Sequence, residues 1–376
     1  MPEKPGSETD IKESLTENFF EGSFYNILHQ ERIFLIIIGF FFFVAGVVFG
    51  RPDIAMWVGF MFAGYSAIAN DSIQTVGTFL ASNSQRKWWI LWLYIGGIFL
   101  ATVTYSWVTF NGDVSYERLT AKGFEQAPTT FTFLQIAAPL FLLIITRLRM
   151  PVSTTFLILS CFSANLDGIT SMLLKSLSGY FVAFFVAIIV WSLVSRYITP
   201  LFTREAGRIW LVLQWITSGS LWAVWIMQDV ANIAVYLPRS LETGQFIGFA
   251  GFIFLGLGIL FYLRGDRIQQ IVTEKSHVTD IRSATIIDFV YAFILFYFKT
   301  ISVVPMSTTW VFIGLLAGRE IAMTITDKNG HAKPMRKTLR LVAKDVSFAG
   351  IGLFISIILA IAINPVIKEE LLQLIF

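Results

Sequence analysis

Only one cysteine, Cys161, occurs in 376 residues, so no internal disulfide can form and the redox compartment leaves no mark on the chain. The three histidines, His29, His277 and His331, are scattered without ligand spacing, which speaks against a metal site built on them. Charged residues are scarce at 14%, against roughly a quarter in soluble domains. No basic-then-apolar leader opens the chain, because residues 1–32 carry seven acidic residues against Lys4, Lys12 and Arg32. Apolar residues are abundant instead, at 55%, with a mean hydropathy of +0.69. The apolar runs at 33–49, 89–107, 183–194 with its flanks and 246–263 approach the roughly twenty residues that span a hydrocarbon core. The expectation is an all-α, polytopic membrane protein.

Within that apolar background two polar elements occur twice. Ile68-Ala69-Asn70-Asp71 and Met227-Gln228-Asp229-Val230-Ala231-Asn232 each set a carboxylate inside a span. Pro151-Val152-Ser153-Thr154-Thr155 follows the first and Pro305-Met306-Ser307-Thr308-Thr309 the second. The offsets from Asp to Pro are 80 and 76 residues, and the copies lie 158 and 154 residues apart. A two-part polar motif repeated at nearly constant offset in a membrane chain points to a transporter built from two halves.

Spans are expected near 33–49, 54–83 (broken around Asn70-Asp71), 89–107, 174–195, 209–238 (broken around Asp229), 245–264 and 345–364. Segments 129–167 and 284–318 read as re-entrant hairpins, each with a Pro-led helix start at its tip. With the N-terminus cytoplasmic, this map puts 19 Lys and Arg inside and 6 outside, with Arg147, Arg149 and Lys299 near the tips. Seven of the inside charges lie between 319 and 344, and the C-terminus falls outside, in a plasma or inner membrane. Residues 54–195 and 209–364 then form two inverted-topology repeats. An acidic amphipathic segment (1–32) and an extra helix (33–53) precede them, and a tail (365–376) follows. In the segment 1–32, Ile11, Leu15, Phe19, Phe20, Phe24, Ile27 and Leu28 fall at helical spacing, so it lies either on the membrane surface or on its own protein.

A carboxylate at bilayer depth costs about 2.5–3.5 kcal/mol on insertion scales, so it is kept where it binds a cation, pairs or relays protons. Asp71 and Asp229 are therefore expected to take a coupling cation or a proton. Asn70, Gln74, Thr75, Gln228, Asn232 and unwound carbonyls would supply further oxygens. A purely structural interhelical hydrogen bond is the alternative. The Ser-Thr-Thr triplets open half-helices whose first amides lack intrahelical acceptors and carry about half a positive charge. Those amides, with the hydroxyls of Ser153, Thr154, Thr155, Ser307, Thr308 and Thr309, would suit an oxyanion. Simple capping of their own helices is the competing reading. Arg147, Arg149 and Lys299 would attract the anion, neutralise the aspartates or snorkel to water, Arg239 would be interfacial, and Asp288 and Asp345 would be structural partners.

These four motifs, in their order, resemble those of the inorganic phosphate transporter family. Each half of that family carries a Gly-Ala-Asn-Asp-Val-Ala-Asn-Ala type signature and a Pro-x-Ser-Thr-Thr-His type hairpin. The likeness runs from about residue 54 to 364. Ile68 and Ile226 stand where the family has glycine, Gln74 and Gln228 where it has asparagine, and Phe156 and Trp310 where it has histidine. The resemblance implies secondary active symport of an inorganic anion, phosphate first, with Na+ or H+ as coupling ion and no other cofactor. It sets Asp71 and Asp229, beside Asn70 and Asn232, at the cation and substrate sites, and the Ser-Thr-Thr residues on the anion. Sulfate or bicarbonate by the same mechanism is the near alternative, and a passive anion channel a more distant one. No catalytic histidine, nucleophile elbow or metal set accompanies the aspartates, so no enzyme activity is expected. The expected partners are the anion and membrane lipid, with no nucleic acid. A homodimer stays open, because oligomeric state is not encoded legibly.

Overall fold

The computed structural model of the protein describes residues 31–83, 85–147, 152–198, 206–263, 281–326 and 334–375. The acidic N-terminal segment lies outside these residues except for its last two, as do Arg149, Pro151, the three histidines and residues 327–333 of the basic loop. The chain divides into two units, Met1–Val47 and Val48–Phe376. In the first, helix α1 (Glu31–Val48) has 18 residues at a mean hydropathy of 2.3, long and apolar enough to cross a membrane.

The second unit contains α2 (Pro52–Thr75), α3 (Gly77–Ser82), α4 (Trp88–Thr109), α5 (Phe133–Arg147) and α6 (Leu166–Leu193). It continues with α7 (Arg208–Ala234), α8 (Thr243–Tyr262), α9 (Ile281–Ile301), α10 (Thr308–Thr326), α11 (Met335–Ile363) and α12 (Pro365–Ile375). No strand occurs among the described residues. Among the described residues, eight helices are long and apolar enough to span a bilayer. The protein is an all-α, polytopic integral membrane protein.

Local chemistry explains where these helices start. Pro52 opens α2 with Asp53 in its first turn, the arrangement that suits fixed φ and the positive helix end. The Asn165 side chain accepts from the Gly168 amide at 2.9 Å, so α6 begins at Leu166, eight residues before the expected span. Helix α8 opens on a capping box between Glu242 and Gln245. Helix α11 starts behind Pro334, ten residues earlier than the apolar run, because its first turns carry Arg336, Lys337 and Arg340 on an exposed surface.

The helix breaks differ from expectation. Helix α2 passes through Asn70-Asp71 without interruption, and the break falls at Val76, before Gly77. Helix α7 runs through Asp229 to Ala234 unbroken. Neither motif contains a glycine or proline to open the helix. The carboxylates find hydroxyl donors on other elements, as described below, so no unwound carbonyl is needed beside them.

Helix pairings recur between the early and late parts of this unit. Helix α2 packs on α5 as α7 packs on α9, and α4 lies on α7 as α8 lies on α2. Helix α10 runs along α6, while residues 155–162 pack along α11. Exchanging α2 with α7, α4 with α8, α5 with α9, 155–162 with α10, and α6 with α11 maps these pairs onto themselves. The α6–α10 contact is the most extensive in the protein. It depends on Gly314 and Gly318, where a Cβ would run into the carbonyl oxygens of Tyr180 and Phe184. Small residues one turn apart let two backbones meet this closely.

The two arms that follow Ser-Thr-Thr are unequal. After Thr154 the chain makes a π-helical turn (Thr155–Leu159) and a 3-10 turn (Ser160–Phe162). After Ser307 it makes the 19-residue α10.

Candidate functional site

Asp71 and Asp229 lie near the C-terminal ends of α2 and α7 and are buried, at 1% and 2% exposure. Their immediate neighbours are the two Ser-Thr-Thr tips. The Thr154 hydroxyl donates to Asp71, 2.9 Å from Oδ2 and 3.2 Å from Oδ1. The Thr308 hydroxyl donates to Asp229 Oδ2. The middle residue of each tip thus engages the aspartate of the same motif pair.

The third residue of each tip crosses to the other. The Thr155 hydroxyl lies 3.2 Å from the Met306 carbonyl oxygen and 3.4 Å from Asp229 Oδ1. The Thr309 hydroxyl lies 3.5 Å from the Val152 carbonyl oxygen. Asn232 donates to Thr155 Oγ1 at 3.2 Å, and Gln74, three residues after its own aspartate as Asn232 is, donates to Thr309 Oγ1 at 3.1 Å. Behind the tips, Phe156 and Trp310 meet edge to face with ring centroids 5.8 Å apart. These are the two positions where the family resemblance would place histidine.

The first residue of each tip serves its own helix. Ser153 Oγ accepts from the Phe156 amide and Ser307 Oγ from the Trp310 amide, both at 3.2 Å. This is side-chain capping of a helix start. The Ser307 amide donates to Ser176 Oγ on α6 at 2.8 Å. Of the six hydroxyls expected to face an anion, the serine oxygens therefore cap, and those of Thr154 and Thr308 are turned to carboxylates.

The amides beside the aspartates are held by their nitrogens. Asn70 Nδ2 donates to Asp71 Oδ1 at 2.7 Å, and its Oδ1 accepts from the Thr146 hydroxyl at 3.0 Å. Asn232 Nδ2 also reaches Asp229 Oδ1 at 3.2 Å, and Gln228 Nε2 reaches the Leu295 carbonyl at 3.0 Å. Thr75 turns its hydroxyl to the Asp71 carbonyl, one turn back in α2. Three amide oxygens, Gln74 Oε1, Gln228 Oε1 and Asn232 Oδ1, are buried with no hydrogen-bond donor. Buried amide oxygens without donors, within three residues of each buried aspartate along α2 and α7, are of the kind that a hard cation takes.

Three residues near this site escaped the sequence reading. Arg118, in the 3-10 turn Arg118–Thr120, is 1% exposed and donates to the Met227, Lys299 and Ser302 carbonyls. Burial pulls its guanidinium down to about 10, against the opposing pull of Asp229, so it remains a cation at neutral pH. Lys175, on α6, donates to the Ser302 and Val304 carbonyls. Tyr291, on α9, donates its phenol to the Thr308 carbonyl at 3.0 Å. A lysine inside the apolar run after 166 was a readable signal. Nothing local marks Arg118 in its loop.

The flanking charges are placed as follows. Arg147 ends α5 in a half-buried position. Lys299 sets its ammonium 5.6 Å over the Tyr116 ring. Arg239 binds the carbonyls of Phe124, Val235, Leu237 and Gln126 in the loops outside the spans. Asp288 accepts from Thr78 at 2.8 Å and from Ser218 at 2.5 Å.

Among solved structures, one described as "The sodium-dependent phosphate transporter" resembles this fold with a TM-score of 0.53. The two chains are 19% identical over 86% of this chain and 99% of the other. At that identity the likeness concerns the fold. No protein-family model matches the chain, and no curated protein does.

Proposed function

We propose that the protein is a secondary active transporter that imports inorganic phosphate by symport with a cation, through alternating access of one central site. Its two halves, 54–195 and 209–364, are read as inverted repeats, and 129–167 and 284–318 as re-entrant hairpins. The observation that carries this reading is the duplicated network: each aspartate takes a hydroxyl from its own tip, and each tip bonds the backbone of the other. Duplicated polar elements converging inside an apolar helical protein support a carrier with a central site. Burial of both aspartates and both triplets supports a form closed to either side.

The role of each group follows from its chemistry. Asp71 and Asp229, with Asn70, Gln74, Thr75, Gln228 and Asn232, would hold the coupling cation. The three donorless amide oxygens favour Na+ over H+, since a metal ion is coordinated by several oxygens at once whereas a proton satisfies one or two. First-turn amides at the two tips, with Thr154, Thr155, Thr308 and Thr309, would bind the anion, while Ser153 and Ser307 would hold the tips in shape as caps. Cation binding to the carboxylates would release the Thr154 and Thr308 hydroxyls toward the anion and link the two affinities. The fold shared with a transporter described as sodium-dependent and phosphate-carrying agrees with this reading.

The test is uptake of radiolabelled phosphate, sulfate or bicarbonate into proteoliposomes under separately imposed Na+ and H+ gradients. The expected result is phosphate accumulation that needs inward Na+ and collapses with its gradient. Accumulation of sulfate or bicarbonate alone would overturn the phosphate assignment. Equilibration without accumulation would overturn symport.

A further inference from the structure

Residues 302–307 lead from α9 to the second Ser-Thr-Thr tip without helix or strand, bending at Val304, whose amide donates to Ser302 Oγ at 3.1 Å. Pro305 contributes no amide hydrogen to this stretch. A non-helical segment inside a membrane protein leaves carbonyls that must find donors elsewhere. Here they find two basic side chains. Arg118 Nη1 donates to the Ser302 carbonyl, and Lys175 Nζ reaches the same oxygen at 2.9 Å and the Val304 carbonyl at 2.6 Å. Beside Lys175, Ser176 Oγ takes the Ser307 amide, so the segment is held at three residues from one face of α6 and from the Arg118 turn.

Arg118 also ties this segment to the cation site. Its Nε donates at 3.3 Å to the carbonyl of Met227, two residues before Asp229, and its Nη2 at 3.3 Å to that of Lys299 in the last turn of α9. A planar guanidinium presents donors in several fixed directions, which an ammonium does not. One side chain therefore sets three things relative to one another: the end of α9, the path to Thr308, and the turn of α7 that carries Asp229. Neutral amides could also donate to carbonyls. The Arg118 guanidinium and the Lys175 amine instead lie beside the tip read above as an anion site, where the C-terminal end of α9 favours positive charge.

We infer that Arg118 and Lys175 are positioning residues for the second tip, holding residues 302–307 by their carbonyls so that Thr308 faces Asp229 and the tip amides face the anion. The anion part of this inference rests on the transporter reading; the positioning part does not. Loosening the clasp is expected to weaken phosphate binding more than it slows the transport step, and to expose the segment.

Two readouts separate these parts. In the first, Val303, 44% exposed in the middle of the clasped stretch, is replaced by cysteine in the purified full chain and labelled with a maleimide. Cys161 is buried and contributes little background. Adding R118Q or K175Q to V303C should raise the labelling rate about tenfold, as expected for loss of hydrogen bonds to a charged group, while R118K should recover only part of the protection. In the second, R118Q and K175Q should each raise the phosphate KM about tenfold with a smaller change in kcat. Unchanged labelling and unchanged KM in both variants would overturn the inference. If R118Q does not fold, R118K decides: labelling and KM equal to the parent would overturn it. If the parent protein takes up no phosphate while labelling responds as stated, the functional proposal fails and the positioning role stands.

Discussion

The first and second tips share a hydrogen-bond pattern but not a scaffold. At both, the serine caps, the first threonine donates to an aspartate, and the second threonine reaches the opposite backbone. Beyond that, the first tip leads into eight residues of π and 3-10 turns, whereas the second leads into a 19-residue helix locked against α6 by two glycines and approached by a segment that Arg118 and Lys175 hold. The middle-threonine contact to the carboxylate is the same twice over, whereas the amide partners, Asn70 at Asp71 and Asn232 at Asp229, and the supports differ. The carboxylate geometry is thus the shared requirement, met by packing on α11 at one tip and by packing on α6 at the other.

The largest expected effect tests whether the two halves are equal partners. Asp71→Asn and Asp229→Asn should each abolish cation-driven uptake while the protein still elutes as a folded species. Retention of coupled uptake by one variant would show that the duplication is not functional on that side. Next come the unequal supports. Gly314→Val or Gly318→Val would force α6 and α10 apart and should cost at least about 1–3 kcal/mol, the usual scale of overpacking, read as a fall in melting temperature. Substituting Leu157 or Leu159 by Met in the first arm should cost less than about 1.5 kcal/mol. A similar fall in both would erase the difference in scaffold.

The threonine-to-aspartate contacts are expected to follow. Thr154→Val and Thr308→Val each remove a donor to a buried carboxylate, worth roughly 1.5–3 kcal/mol, and should shift half-saturation for Na+ about tenfold or more. Ser153→Ala and Ser307→Ala should cost only about 1 kcal/mol of stability as lost caps. If the serine variants change phosphate affinity more than stability, the serines contact the anion rather than cap. The smallest effect concerns the ring contact behind the tips. A double-mutant cycle of Phe156→Leu and Trp310→Leu should give a coupling of about 0.5–1.5 kcal/mol by thermal unfolding. No coupling would mean that the two tips are less tightly joined than their geometry implies.

Much of the fold could be read from the chain. Apolar runs of spanning length foretold an all-α membrane protein, and the constant Asp-to-Pro offset foretold which residues would meet. Asp71 with Thr154, and Asp229 with Thr308, are contacts between the two elements that the spacing singled out. The helix breaks lie elsewhere than the sequence suggests, because a buried carboxylate does not require unwound backbone beside it. Threonine hydroxyls from the tips supply the donors instead, and α2 and α7 stay helical through both aspartates. Serine and threonine could not be told apart in advance, since every hydroxyl in a Ser-Thr-Thr triplet can cap a helix or reach across a gap.

The chain alone determined that this protein is helical, lies in a membrane and carries one polar motif pair twice, because length, hydropathy and spacing are properties of sequence order. Only the tertiary structure decided which oxygen meets which carboxylate, where α2 breaks, and that an arginine from the loop before α5 and a lysine of α6 hold the second tip. Those choices depend on directions in space between residues up to about two hundred positions apart, and a backbone carbonyl waiting for a cation has no signature in the sequence.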